Sequence, residues 1–254
     1  GGRWFSEMSA YILNTIAFKK DLDNGVSQSR LVEKVKQLGF DAIEIRNEFL
    51  NGSKNERLAI AKEAQKLGLE VFYSVNDVLV TGDHLNNKAL DYVTEMKELN
   101  SSHLKLNIGS LSDISKEELL KGLAAILDGQ FEIAVENNQT LADSSLAITK
   151  KFFEIIQDAG IKDIHYCFDI ANWIWLDTDV DQAADDLKQF TTYLHLKNAV
   201  RDQGELKTVP LEDGDLNWRA LIKKFPFAHD FGLEYAGNAE TIANELGLVK
   251  EATK

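Results

Sequence analysis

A single cysteine, Cys167, rules out an intrachain disulfide and a cluster of thiolate ligands, and it fits a reducing, cytoplasmic setting. Proline occurs only twice in 254 residues, which argues against a fibrous or disordered chain. No run approaches the roughly 18 uninterrupted apolar residues of a membrane span, so no membrane partner is expected. Positive charge is scarce: 28 Lys and Arg face 41 Asp and Glu, a formal net charge of -13, and the basic residues are dispersed among acidic ones. Binding duplex phosphates requires lysine and arginine concentrated on one surface, so nucleic acid is not an expected partner either. The opening GGRWFSE lacks a basic region followed by an apolar run, and residues 1 to about 7 read as a disordered segment or a processing or cloning remnant.

What is present suits a packed core: 44% of residues are hydrophobic and 27% charged. A short β-branched run, a polar turn and an amphipathic helix recur from AYILNTIAF at 10–18 onward. The expected strands after that one are FDAIEIR (40–46), LEVFYSV (69–75), HLKLNIG (103–109), FEIAVEN (131–137), DIHYCFDI (163–170), TYLHLKN (192–198) and DFGLEYAG (230–237). Between them, helical spacing of apolar residues predicts helices at 27–38, 54–67, 87–99, 115–127, 143–159, 180–190 and 216–224, with 238–247 closing the ring. Gly39, Gly68 and Gly160 read as helix stops. Eight strand and helix units predict parallel crossovers, and the length matches the roughly 250 residues typical of a closed (β/α)8 barrel. One α/β domain over 1–254 is therefore expected, with a doubly wound open sheet as the alternative. The polar connection at 198–215 is the one long loop, and barrel chemistry sits on the loops that follow strands.

Polar residues collect at the strand ends. Glu44 and Arg46 lie two apart, as do Lys105 and Asn107, and His195 and Lys197, which places each pair on one face of its strand. Glu136, Asp169 and Glu234 end or sit in three other strands. If these side chains face the lumen they converge, and such a cluster cannot stay ionised in a dry site without paired charge or a cation. Three carboxylates and an imidazole suit Mn²⁺, Zn²⁺, Co²⁺ or Mg²⁺. The competing reading is structural: carboxylates that cap helices or pair with Arg46, Lys105 and Lys197, and a satisfied core histidine. Trp173 and Trp175 can wall a carbohydrate pocket or pack in the core. Cys167, without a basic partner, reads as inert. Asn107, Asn138 and Asn198 suit backbone groups at strand ends.

The order and placement of these residues resemble the sugar isomerase and epimerase family of xylose-isomerase-like TIM barrels, over nearly the whole chain. In that likeness Glu136 in VEN, Asp169 in FDIANW, His195 in HLKN and Glu234 in LEY correspond to the family's metal ligands. Arg201 resembles an arginine that contacts substrate oxygens, and Glu44 a second-strand glutamate that organises the site. Many members carry a histidine three residues after the strand-six aspartate, where this chain has Asn172. Asparagine can hydrogen-bond a substrate but cannot carry a proton at neutral pH. An additional substrate-binding acid beyond Glu136 has no match in NNQTLAD.

The resemblance implies one divalent ion, Mn²⁺ favoured, and a small-molecule sugar or sugar derivative as substrate. The ion would hold a carbonyl and its neighbouring hydroxyl while Glu136 and Glu234 remove and return the alpha proton through an enediolate. Glu44, Lys105, Asn107, Asn172, Lys197 and Arg201 are the expected substrate contacts. Alternatives are dehydration of a keto-sugar or ketocyclitol, and a sugar-binding barrel without turnover. An exposed barrel flank is compatible with a homo-oligomer.

Overall fold

The computed structural model describes residues 8–137, 140 and 145–254. The N-terminal remnant expected at 1–7 and Asn138 lie outside the described residues. In chain order the strands are β1 (Ala10–Asn14), β2 (Ala42–Arg46), β3 (Glu70–Thr81), β4 (His84–Leu85), β5 (His103–Gly109), β6 (Glu132–Glu136), β7 (Ile164–Asp169), β8 (Thr191–Leu196), β9 (Asn198–Asp202), β10 (Glu205–Val209) and β11 (Asp230–Leu233). Eight of them form a closed parallel barrel in the order β1, β2, β3, β5, β6, β7, β8, β11, and β11 pairs back on β1. No open sheet edge remains in the ring. Among the described residues, no helix is long and apolar enough to cross a membrane.

Strand alternation divides the interior. In β2, Ile43 and Ile45 point outward into the main core between strands and helices, whereas Ala42, Glu44 and Arg46 share the lumen face. Ala10, Ile12, Ala42, Phe72, Cys167 and Tyr193 form a separate apolar plug inside the barrel. Local signals frame the outer helices. In Lys54–Leu67, the Glu56 amide donates to the Ser53 side chain at 3.1 Å, and Gly68 ends the helix with a left-handed φ of 70°.

The structure differs from the sequence pattern at several ends. The first strand stops at Asn14 rather than 18, because the Asn14 side chain accepts the Ile16 amide at 2.9 Å and starts a 3-10 turn over Thr15–Phe18. The third strand runs on to Thr81 through a register shift between Ser74 and Val78 and turns back as β4. The connection expected as a loop at 198–215 is largely the β9–β10 hairpin. Its two turn residues, Gln203 and Gly204, both have positive φ, 51° and 83°, which suits a tight two-residue turn that twists with its strands. Asn198 fastens its base: its amide nitrogen donates to the carbonyls of Leu211 and Leu216, while its oxygen accepts the backbone amides of Ala199 and Leu216.

The amino-terminal mouth is closed by His103, stacked on Phe72 at 4.0 Å and bonded at 2.9 Å to both Glu70 and Glu132. Burial works against charge on this imidazole, but its two carboxylate partners push its pKa up to about 10. Burial also opposes ionisation of Glu132, and His103 outweighs it, holding the carboxyl below its ordinary 4.5. The histidine's contribution to stability is complete below its ordinary pKa of 6.5 and lost as pH rises through 10; the glutamate's is complete above 4.5 and lost as pH falls. Replacing His103 by Gln should therefore cost more stability at pH 6 than at pH 10 in urea unfolding. Equal losses at both values would leave the charge no role.

Candidate active site

Glu44 lies one layer beneath the carboxyl-end cavity, with no exposed surface. Its Oε1 accepts from Asn14 Nδ2 at 2.7 Å and from His195 Nε2 at 2.8 Å, and its Oε2 accepts from the Tyr193 hydroxyl at 3.0 Å. With Nε2 bonded to a carboxylate, Nδ1 is the nitrogen left to ligate a metal once it gives up its proton; burial opposes charge on the ring, but the carboxylates around it, Glu234, Glu44 and Glu136, hold its pKa well above the ordinary 6.5. That Nδ1 faces Glu234 Oε2 at 3.1 Å and Glu136 Oε2 at 3.3 Å.

Asp169 is also held by one oxygen. Its Oδ1 accepts the backbone amides of Ala171 and Asn172, both at 2.9 Å, at the start of the short helix Asn172–Trp175. Its Oδ2 is left 2.8 Å from Lys197 Nζ, which donates to Glu234 Oε1 at 3.0 Å. Lys105 Nζ lies 2.5 Å from Glu136 Oε2. Ligand atoms of Glu136, Asp169, His195 and Glu234 all fall within 4.8 Å of one another. Three of these atoms, Glu136 Oε2, Asp169 Oδ2 and His195 Nδ1, are buried without an aligned hydrogen bond, even though ammonium groups stand close to the two oxygens. Buried polar atoms in that state demand a partner, and a divalent cation fits a donor set of three carboxylates and one imidazole.

Electrostatics follow from this packing. Burial disfavours charge on Glu136, yet Lys105 and His195 pull its pKa down to about 2. Glu234 is likewise held low against its burial by His195 and Lys197. The Lys197–Asp169 contact favours charge on both partners; burial outweighs it at Asp169, whose pKa rises, and fails to at Lys197, whose pKa also rises. Burial pushes the Cys167 thiol up to about 12, which keeps it neutral and agrees with the inert reading.

Above the cluster lies a cavity of about 300 Å³. The expected contacts Lys105, Asn107, Asn172 and Lys197 all line it, together with Glu136 and Glu234. Asn172 is braced by donating to the Asn137 carbonyl at 3.0 Å. Glu44 does not line this cavity: it is saturated beneath His195 and organises the ring. Arg201 is not brought to it either. It sits exposed on β9 and donates to the Gly204 carbonyl at 3.3 Å, because the hairpin carries it away over its own turn. Trp173 is fully buried in the core, which decides between its two readings for packing.

Arg46, which alternation places on the face of Glu44 but not among the expected substrate contacts, walls the cavity beside Ser74 and Asn76, and Asn14 and Tyr193, outside the expected set, are the partners of Glu44. Tyr193 was findable, since it lies two residues before His195 and shares its face. Ser74 and Asn76 carried no such signal.

No family model matches the sequence, and neither does any curated protein. Solved structures match the fold. A D-psicose 3-epimerase superposes with a TM-score of 0.71 at 13% identity, covering 96% of this chain and 99% of that one. The "probable 3-DHS dehydratase AsbF involved in the petrobactin synthesis" of Bacillus anthracis gives 0.66 at 16% identity, with 95% and 98% covered. A fusion of a xylose isomerase-like TIM barrel with a 4-hydroxyphenylpyruvate dioxygenase gives 0.69 at 11%, with 94% of this chain and 42% of the fusion covered. The fold is that of the xylose-isomerase-like TIM barrels.

Gly232, the register partner of His195, leaves the space that the Tyr193 hydroxyl needs: an added Cβ would stand 2.5 Å from that oxygen. Gly232→Ala is expected to destabilise the fold by about 1–3 kcal/mol. Combining it with Tyr193→Phe, which removes the obstructing oxygen, should cost less than the sum of the two single changes in denaturant melts. Simple additivity would show that the two positions are not coupled in this way.

Proposed function

We propose that this chain is a divalent-metal-dependent sugar isomerase or epimerase that moves a proton at the carbon next to a carbonyl. The observation that carries the reading is the convergence of Glu136, Asp169, His195 and Glu234, whose ligand atoms lie within 4.8 Å of one another, with Glu136 Oε2, Asp169 Oδ2 and His195 Nδ1 buried and lacking an aligned hydrogen bond. Glu136, Asp169, His195 and Glu234 would hold the ion, with Mn²⁺ favoured over Zn²⁺, Co²⁺ or Mg²⁺ for an oxygen-rich set with one imidazole. When bound, it supplies Lewis-acid stabilisation of negative charge on the substrate.

The protein's own groups do the rest. Glu136 ends β6 and Glu234 follows β11, three positions apart in the ring of eight, so the two carboxylates approach a substrate from different sides. One takes the alpha proton and the other returns it to the opposite face in an epimerisation. A single carboxylate carrying the proton between adjacent carbons gives aldose and ketose interconversion instead. Lys197 steadies Glu234 through Oε1, and Glu44 keeps the imidazole of His195 in one orientation. Lys105, Asn107 and Asn172 are placed to orient hydroxyls. Arg201 would reach a substrate only through rearrangement of the hairpin. The single cysteine suits a cytoplasmic enzyme.

The likeness to both an epimerase and a dehydratase leaves loss of hydroxide after the same proton abstraction as the second reading.

Titration followed by electron paramagnetic resonance should find one Mn²⁺ per chain, weakened at least about tenfold by Asp169→Asn. Incubating the Mn²⁺-loaded protein with a panel of ketoses in deuterium oxide should label the carbon beside the carbonyl of at least one of them. Glu136→Gln and Glu234→Gln, compared at matched metal occupancy, should each lower that labelling by about 100-fold or more. Parental exchange in both variants would remove the acid and base roles.

A further inference from the structure

The cavity has two unlike halves. Glu136, Asp169, His195 and Glu234 belong to β6, β7, β8 and the end of β11, which are consecutive in the ring. The facing arc consists of β2, β3 and β5. There Arg46 is the register partner of Ser74, and Ser74 that of Lys105, so the three side chains share one layer of the lumen. Asn76 and Asn107 join them in the cavity wall. Among the described lining residues, this arc contributes donors and no carboxylate. Glu44 lies beneath it, and Glu48 stands exposed at the rim, gripping Arg46 through two contacts of 3.0 and 3.1 Å.

Charge is a costly means of recognising a neutral hydroxyl, since burying an ammonium group costs several kcal/mol that serine or asparagine would avoid. Lys105 is nonetheless only 8% exposed. Its ion pair is with Glu136 Oε2, the same oxygen that faces the metal-ligand cluster. An ion held by that oxygen would take over much of its charge and leave the buried Glu44 as the carboxylate that acts on Lys105 from outside the cluster.

We propose that the arc formed by Arg46, Ser74, Asn76, Lys105 and Asn107 binds an anionic terminus of the substrate, a carboxylate or phosphate, on the β2, β3 and β5 flank of the cavity, next to the cluster. The substrate is then an acidic or phosphorylated sugar, an inference that rests on the sugar reading above. Lys105 supplies the main charge, because the charge of Arg46 is shared with Glu48 and, at 3.7 Å, with Glu234. Arg46, also braced by Asn14 at 3.3 Å, sets the outer limit of the arc.

The test is calorimetric titration of the Mn²⁺-loaded protein with D-glucose, D-glucuronate and D-glucose 6-phosphate, which differ only at carbon 6. At least one anion should bind about tenfold or more tighter than D-glucose, and the better of the two identifies carboxylate or phosphate as the source. Lys105→Met should abolish most of that advantage and Lys105→Arg should keep it. Circular dichroism melts accompany each variant, and Asn107→Ala reports on the same arc should Lys105→Met fail to fold. Equal affinity for all three sugars, or no measurable binding of either anion, overturns the proposal. So does an advantage that survives Lys105→Met and disappears in Asp169→Asn, which would place the anion on the metal. Mn²⁺ stoichiometry in the same samples separates the two readings: an anion preference that depends on Lys105 without metal at the cluster would sink the metal mechanism and uphold the anion arc.

Discussion

The bond between Glu44 and His195 sets the geometry on which the candidate site depends. A carboxylate with no exposed surface accepts from Nε2, so Nδ1 is the nitrogen turned toward Glu136 and Glu234. Reversing the ring's proton would remove the only nitrogen donor from the four-residue group. Support for this single orientation comes from four consecutive strands. Asn14 of β1 and Tyr193 of β8 hold the Glu44 of β2, and Gly232 of β11 leaves the room in which Tyr193 does so. The rigidity of the closed ring is what allows such side chains to serve as a fixed shell.

That shell lets the barrel bury an unusual density of charge. The lower lumen is plugged by apolar residues and closed by His103, while the upper lumen carries carboxylates and ammonium groups at ion-pair distance. Buried charges without partners are unfavourable by several kcal/mol each, and pairing compensates only where geometry is good. The proximity without alignment between the two lysines and their carboxylates is the place where pairing is incomplete. A cation among the acids and an anion beside Lys105 would complete it, which ties the proposed metal and the proposed substrate class to one electrostatic cause.

Much of this was legible in the chain because both periodicities are local. Alternation placed Glu44 with Arg46, Lys105 with Asn107 and His195 with Lys197 on shared faces, and each pair does lie along the lumen side of its strand. Eight repeated units predicted closure, and closure makes strand ends meet. The failures have equally physical origins. Arg201 was expected above the substrate on the assumption that 198–215 is a loop, but Gln203 and Gly204 form a tight turn and fold the segment on itself. Glu44 has the right face but lies one layer too deep to touch the cavity. The extension of β3 past Ser74 follows a register shift, which alternation cannot announce.

The sequence by itself determined the barrel class, the ring order and the set of acids, histidine and lysines that reach the carboxyl ends, since these follow from spacing within single strands and helices. The tertiary structure alone decided which atom of each residue is spent on support and which is left facing the centre. Glu44 and His195 are 151 residues apart, and Glu44 and Tyr193 are 149 apart. No local window contains both partners of either bond. Their meeting depends on ring closure and on the packing layer at which each strand is registered, and that layer separates a residue beneath the cavity such as Glu44 from a wall residue such as Lys105.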